Sequence, residues 1–114
     1  MYERFNDLKA KKPDLKTLLS LGGWNMGSEP FSQMVATPES RQKFAVNAIS
    51  YLRARRFDGL DIDWEFPACR GSPPEDKQRF TLLLQVNAPI SVPCAYSYIT
   101  LDYEPQPEWT LGIK

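Results

Sequence analysis

Residues 57–67 read FDGLDIDWEFP, and the alternation within this stretch predicts a β-strand over 59–66. Alternate residues of a strand share one face. The acidic residues therefore project from one side of the strand, and the apolar residues between them project from the other. The acidic face holds Asp61, Asp63 and Glu65, and the apolar face holds Leu60, Ile62, Trp64 and Phe66.

The acidic face has three explanations on the residues alone. A half-exposed strand can present a solvated acidic side, as antiparallel sheets often do. Aspartate is disfavoured in strands, however, and successive acids on one face repel each other. A site built from carboxylates would explain the pattern, either in a hydrolase that uses them for acid–base chemistry or in a site for a divalent metal. All three explanations stay open at this point.

The spacing and phase of the acids suggest different roles. The carboxylates on the acidic face repeat every ~6.6 Å along the strand. In a site of low dielectric constant, like charges at that spacing favour protonation of one carboxyl, which a general acid at neutral pH requires. Asp58 is out of phase with the other three acids. We expect Asp58 to support the site from behind rather than to contact a substrate, unless Gly59 introduces a bulge.

The flanking sequence predicts alternating helices and strands. Residues 2–11 carry apolar side chains at helical spacing, which predicts the end of an amphipathic helix. Residues 16–21 are predicted to form a strand. Its run Leu18-Leu19-Ser20-Leu21 is apolar on both faces, which is typical of a parallel-sheet strand covered on both faces. The double glycine that follows ends this strand, and 24–36 is predicted to be a loop. Residues 72–75, Ser-Pro-Pro-Glu, open a last helix. With the long helix between the strands, this order predicts a parallel α/β fold.

The helix between the two strands is amphipathic. Thr37 suits the N-cap, Pro38 the first helical position and Glu39 the positively polarised first turn. The helix is expected to run for roughly 16 to 18 residues. Its apolar stripe comprises Phe44, Ala45, Ala48, Ile49 and Leu52, and its polar face comprises Arg41, Lys43, Asn47 and Arg53.

The composition excludes several functions. The 114 residues include 14 basic and 14 acidic side chains and no histidine. There is accordingly no Ser-His-Asp or Cys-His catalytic set, and no run of Lys or Arg that would bind nucleic acid. Cys69 and Cys94 lack the paired spacing of a zinc or redox site. No stretch has the ~18 apolar residues of a membrane span, and none near Met1 has the length of a signal peptide.

Two motifs resemble the signatures of a known family. FDGLDIDWEFP resembles the DxxDxDxE signature of family 18 glycoside hydrolases, the chitinases, and SLGG at 20–23 resembles their SxGG signature. The segments LGGWN, MVATPESRQKF and RGSPPEDKQRF are similar to the animal chitotriosidase and acidic chitinase branch. The resemblance implies a partial (β/α)8 TIM barrel, in which residues 1–85 supply the third and fourth strands. Residues 86–114 do not resemble the family. We expect a disordered tail or one short strand there, from a splice product or a gene-model error.

The resemblance implies a role for each acid of the motif. Glu65 matches the general acid/base that protonates the glycosidic oxygen. Asp63 matches the acid that orients the substrate N-acetyl group, whose carbonyl oxygen attacks the anomeric carbon. Asp61 matches the acid that shares a proton with Asp63, and Asp58 matches a structural support. Phe66 stands where this branch usually has tyrosine.

The resemblance also implies the ligand. Trp24 matches an aromatic platform for a sugar ring, with Gly23 and Asn25 beside it, and a core or lid tryptophan is the alternative. The implied partner is chitin or a chito-oligosaccharide, without a metal or organic cofactor, nucleic acid or membrane. The protein is expected to be a monomer that acts outside the cell.

Two other functions are alternatives to a chitinase. A chitinase-like lectin binds chitin oligomers without cleaving them, but family lectins generally replace the acid that Glu65 matches. A metal-dependent phosphotransferase would need a phosphate-binding GK[ST] loop after a strand, and the sequence lacks one.

The short chain leads us to expect marginal stability and no activity from the chain by itself. Two parallel strands leave both sheet edges open. We expect the apolar face of Leu60, Ile62 and Trp64 to lack neighbours that would bury it. We also expect the acidic face to be open to water, which screens the carboxylates.

Overall fold

The computed structural model describes residues 1–85, which form one parallel βαβ unit with flanking helices. Cys94 and the strand expected in the tail lie outside the described residues. No helix within residues 1–85 is long and apolar enough to cross a membrane. The elements are α1 (Tyr2–Asn6), α2 (Leu8–Lys11), β1 (Leu18–Gly22), α3 (Glu29–Val35), α4 (Pro38–Ala54), β2 (Gly59–Asp63) and α5 (Asp76–Gln85), with a 3-10 turn at Trp24–Met26.

The two strands of the sheet have one polar face and one apolar face. Strands β1 and β2 pair in parallel, with Ser20 beside Asp61. Residues paired in this way share a face. Asp61 and Asp63 are half-buried on this face, whereas Leu60 and Ile62 on the other face are buried. The alternation predicted for β2 is therefore confirmed.

The apolar face of β2 is buried, so the expectation of an uncovered apolar face is wrong. Leu60, Ile62 and Trp64 are at most 3 % exposed. The Trp64 ring stacks on Phe31 of α3 at 5.1 Å between centroids and meets Phe80 of α5 edge-on at 5.2 Å. The helices on this side bury the rest of the apolar face, because their apolar residues pack in the same core cluster. These residues are Phe31, Val35, Leu52, Phe80, Leu83 and Leu84.

Strand β1 is covered on one face rather than on both. Leu19 and Leu21 are partly buried against the core. Leu18 and Ser20 on the opposite face are exposed. The expectation of double cover is wrong because, within the part of the chain that the structure describes, the helices bury the side of the sheet that carries Leu19, Leu21 and Ile62.

Helix α4 begins and ends as predicted, with one exception on its polar face. The Ser40 N–H donates to Thr37 Oγ1, and the Thr37 N–H donates to Ser40 Oγ, each at 3.0 Å. This reciprocal cap precedes a helix of 17 residues. Arg41 was expected in solvent, but it is buried, and its Nη1 donates to the Val35 carbonyl at 2.6 Å. The arginine thereby satisfies a carbonyl at the end of α3 that has no helical partner.

The structure of two segments before α4 differs from the prediction. Residues 24–36 contain a 3-10 turn and α3 rather than only a loop. Pro30 lies in the first turn of α3, where a proline costs no hydrogen bond. Residues 2–11 form two short helices instead of one. They are separated because the Ala10 N–H donates to the Asp7 carbonyl three residues back, which tightens the chain there.

Two boundaries around the acidic strand also differ. Strand β2 ends at Asp63 rather than at Phe66. Phe66 therefore leaves the apolar face and is 40 % exposed. Helix α5 begins at Asp76, four residues after Ser72. The later start has a steric cause, because Pro74 disfavours helical backbone angles at the residue before it.

Candidate functional site

The two strands end at a close contact between Gly22 and Asp63, which are paired in the parallel register. Gly22 has a φ of +124° and Gly23 a φ of +88°, which are angles that favour glycine. The Gly23 N–H donates to the Asp63 carbonyl at 2.8 Å. A Cβ on Gly22 would lie 2.1 Å from that carbonyl oxygen and 2.8 Å from Phe31 Cζ. The double glycine therefore lets β1 approach the backbone of the acidic strand.

The three acids of the predicted site lie at and before this end of the sheet. Asp61 and Asp63 project from the face opposite the core, and Glu65 lies two residues beyond the end of β2. All three are half-buried. A Cβ on Gly23 would lie 3.8 Å from Asp63 Oδ2, so this glycine borders the carboxylate. Ligands of parallel sheets bind at the carboxyl ends of the strands, and these residues occupy that position.

Asp58 lies at the opposite, amino end of β2. Its Oδ2 accepts a hydrogen bond from the Thr17 N–H at 2.7 Å and pairs with Lys9 Nζ at 2.6 Å. Burial alone would raise the pKa of Asp58, but the Lys9 and Thr17 hydrogen bonds and the charges of Lys9 and Lys16 hold it below its ordinary value of 3.8. The structure therefore separates Asp58 from the other acids, and its carboxylate joins α2 and the start of β1 to the start of β2.

Trp24 and Asn25 lie in the 3-10 turn that follows the double glycine. Both side chains are exposed, and Trp24 is 57 % exposed. The tryptophan of the core is Trp64. The guanidinium carbon of Arg70 lies 3.7 Å from the centroid of the Trp24 ring. Within residues 1–85, Trp24 is therefore a surface aromatic residue at the same end of the sheet as the acids.

A buried serine missed by the sequence analysis connects the site to the core. Trp64 Nε1 donates to Ser28 Oγ at 3.0 Å, and Ser28 Oγ donates to the Cys69 carbonyl at 3.0 Å. The loop after β2 is thereby attached to the turn after β1. The sequence offered no spacing or motif for this contact, because a serine within a presumed loop is ordinary.

Asp76 is a fully buried acid at the first position of α5. Its carboxylate accepts hydrogen bonds from Ser32 Oγ, from Ser72 Oγ at 2.8 Å and from Arg79 Nη1 at 3.1 Å. Burial alone would raise the pKa of Asp76, but these hydrogen bonds and the Arg79 charge hold it below its ordinary value of 3.8. An acid in the first turn is typical of exposed helix starts, so the pattern did not indicate burial.

We expect the stability of the chain to fall at acid pH because of Asp76 and Asp58. Folding lowers both pKa values, so the ionised carboxylates stabilise the fold above their ordinary value of 3.8 and lose this contribution as the pH falls through the lower folded values. Urea unfolding followed by circular dichroism should show the decline below about pH 4. Asp76→Asn should cost about 1 kcal/mol near neutral pH and make the decline shallower. An acid decline of unchanged steepness in this variant would contradict the prediction.

The described residues give no support to a metal site. Residues 1–85 contain no group of three His, Cys, Asp or Glu side chains placed to hold a metal ion. Cys69 is exposed and forms no disulfide within the same range. Carboxylate chemistry and a solvated face are both compatible with half-buried acids at this end of the sheet.

Comparison with known proteins identifies relatives of this arrangement. The sequence pattern of Glycosyl hydrolases family 18 matches residues 1–88. The chain is 56 % identical to chitotriosidase-1 of Mus musculus over 85 residues, which are 75 % of this chain and 18 % of that protein. It resembles the Ostrinia furnacalis group IV chitinase, solved with allosamidin, with a TM-score of 0.72 and 41 % identity over 75 % of this chain and 23 % of that one. It also resembles human YKL-39, described as a pseudo-chitinase with retained chitooligosaccharide binding, with a TM-score of 0.64 and 40 % identity over 75 % of this chain and 22 % of that one.

The matches cover most of this chain but only a small part of each relative. The chain spans about a fifth of the length of the three relatives. The related chitinases are TIM barrels, and the described residues hold two parallel strands with adjoining helices. Because the family pattern covers most of the chain and agrees with both sequence motifs, the protein belongs to glycosyl hydrolase family 18.

Proposed function

We propose that the chain carries the catalytic strand of a chitinase, an enzyme that hydrolyses β-1,4 linkages between N-acetylglucosamine units. The supporting observation is the arrangement at the carboxyl end of the sheet. Asp63 projects there from the face away from the core, Glu65 is half-buried two residues beyond the end of the strand, and Trp24 is exposed on the neighbouring turn. Carboxyl groups catalyse the hydrolysis of glycosidic bonds, and the flat face of an aromatic ring can stack on a sugar ring. In this proposal β1 and β2 are the third and fourth strands of the barrel.

The proposed mechanism is substrate-assisted and retains the anomeric configuration. Glu65 protonates the oxygen of the glycosidic bond. Asp63 orients the N-acetyl group of the substrate, whose carbonyl oxygen attacks the anomeric carbon as the glycosidic bond breaks, and Asp61 shares a proton with Asp63. A water molecule, deprotonated by Glu65, then attacks the anomeric carbon and restores the N-acetyl group. Asp58 supports the strand from its other end. The proposal includes no metal or organic cofactor, and it places a monomeric protein outside the cell.

The 114-residue chain by itself is expected not to hydrolyse a fluorogenic chitobioside. Ser20 is exposed and Asp61 and Asp63 are half-exposed, so water reaches the face where the reaction would occur. We would compare the chain with a chimera in which residues 1–85 replace the matching 85 residues of mouse chitotriosidase-1. Turnover by the chimera alone supports the proposal. Turnover by the isolated chain would contradict the expected inactivity. If neither the chimera nor the isolated chain shows turnover, the proposed function is contradicted.

A chitin-binding lectin is the second candidate function, and the similarity to the pseudo-chitinase YKL-39 favours it. An exposed Trp24 would be sufficient for binding without proton transfer. Glu65 argues for the enzyme, because a lectin has no use for a general acid. A chimera that binds chitotriose in calorimetry without any turnover would favour the lectin.

We expect Trp24→Ala to weaken the binding of long chito-oligosaccharides by roughly 1 to 3 kcal/mol, because it removes a stacking surface. Since Trp24 is exposed, the melting temperature should change little. Calorimetry of the chimera with chitohexaose measures the affinity. Tyr51→Ala is the control, because Tyr51 is also an exposed aromatic residue with an arginine stacked on it. A large fall in melting temperature for Trp24→Ala, or an equal loss of affinity for Tyr51→Ala, would contradict a platform role.

A further inference from the structure

Arg70 makes three contacts at the candidate site. Its guanidinium carbon lies 3.7 Å from the centroid of the Trp24 ring. Its Nη1 donates to the Trp24 carbonyl at 2.7 Å and to the Glu65 carbonyl at 3.3 Å. The Arg70 side chain therefore contacts the ring of Trp24, the backbone of Trp24 and the backbone of Glu65.

The chemistry of the guanidinium suits this combination of contacts. A planar cation is attracted to the electron-rich face of an indole, and its several N–H groups can bind carbonyls at the same time. Within residues 1–85, Arg70 forms no ion pair with a carboxylate, so no described carboxylate competes for the guanidinium. A lysine could supply the charge but not the flat surface.

The loop after β2 directs Arg70 toward the indole. Arg70 has a φ of +54° and Ala68 a φ of +65°, which non-glycine residues adopt only when their surroundings impose it. Hydrogen bonds provide that constraint. The Ala68 N–H donates to Ser72 Oγ at 3.0 Å, and the Cys69 carbonyl accepts from Ser28 Oγ. The loop backbone from which the Arg70 side chain extends is therefore held in place.

We propose that Arg70 is a positioning residue that makes the Trp24 platform one-sided. The inference rests on the proposed function and adds which face of the indole accepts the ligand. The guanidinium covers one face, and Trp24 is nevertheless 57 % exposed, so the opposite face is open to solvent. The ligand class is a neutral pyranose, whose C–H face stacks on that open indole face. Arg70 thereby fixes the plane against which the sugar is presented to Glu65.

The test of positioning needs no sugar. Arg70→Gln removes the guanidinium, and acrylamide should then quench Trp24 fluorescence about twofold more strongly because a second face becomes accessible. The measurement uses the full chain with Trp109→Phe, since the remaining indole of Trp64 is buried. Arg70→Lys should give intermediate quenching, and near-ultraviolet circular dichroism reports folding of each variant.

The matched control is Arg55→Gln, which removes a guanidinium 3.6 Å from the Tyr51 centroid and should leave Trp24 quenching unchanged. Equal quenching in Arg70→Gln, Arg70→Lys and the chain that carries only Trp109→Phe would overturn the proposal.

Sugar binding separates this inference from the proposed function. In the mouse chitotriosidase-1 chimera, Arg70→Gln should weaken chitotriose binding about three- to tenfold and raise KM, with kcat little changed. If quenching rises but affinity does not fall, the role of Arg70 in ligand binding is overturned. If the chimera with Arg70 intact binds no chitotriose, the proposed function fails, whereas increased quenching in Arg70→Gln would still support positioning of the indole.

Discussion

Glu65→Gln is expected to remove nearly all chitobioside hydrolysis from the chimera that carries residues 1–85, while leaving chitotriose binding largely intact. Glutamine keeps the shape of the side chain but cannot donate the proton that the glycosidic oxygen needs. General acid–base catalysis contributes about 10²- to 10⁴-fold, so kcat should fall by roughly that factor. Glu65 is the acid furthest along the strand direction, at the end where active sites of barrels lie.

Glu75 offers a matched control for this substitution, because it is an exposed carboxylate before α5. Glu75→Gln makes the same chemical change and should leave kcat and affinity unaltered. Turnover retained by Glu65→Gln would exclude Glu65 as the general acid. Loss of binding together with turnover would assign Glu65 a structural role instead.

Gly22→Ala is expected to produce the largest loss of stability among single substitutions in the sheet. The new Cβ would lie 2.1 Å from the Asp63 carbonyl oxygen and 2.8 Å from Phe31 Cζ, at a φ of +124°. Backbone strain and overpacking each cost about 1 to 3 kcal/mol, which suggests a loss of roughly 2 to 6 kcal/mol. Relief of the clash would separate the strand ends and break the hydrogen bond from Gly23 to Asp63. Urea unfolding of the chain, followed by circular dichroism, measures the change.

Gly27→Ala distinguishes the clash from the backbone strain. Gly27 has a φ of +70°, and a Cβ there would meet no atom within 4 Å. This variant should lose only the strain, about 1 to 3 kcal/mol. Equal destabilisation by the two substitutions would show that the close approach of β1 to Asp63 does not matter for stability.

Local sequence was sufficient where the deciding interaction is local. The alternation in 57–67 predicted the buried and half-buried residues of β2, because side-chain direction in a strand follows a period of two. Thr37 predicted the start of α4, because its partner in the cap is Ser40. The phase of Asp58 indicated that it differs from the other acids, and it lies at the other end of the strand.

Contacts between residues far apart in the sequence could not be predicted from local patterns. Arg70 and Trp24 are 46 residues apart, and Asp76 and Ser32 are 44 apart. No periodicity relates positions at those separations. The residues that hold the loop beside the candidate site were therefore missed, although the strand that carries the acids was predicted.

The sequence by itself determined that β2 has an acidic face and an apolar face, and that the chain carries the family motif. Only the tertiary structure decided which faces are covered. The apolar run of β1 gave the expectation of burial on both sides, yet Leu18 is exposed and Leu21 is packed against the core. The physical reason is that alternation sets the direction of a side chain, whereas its burial depends on helices that pack from elsewhere in the chain.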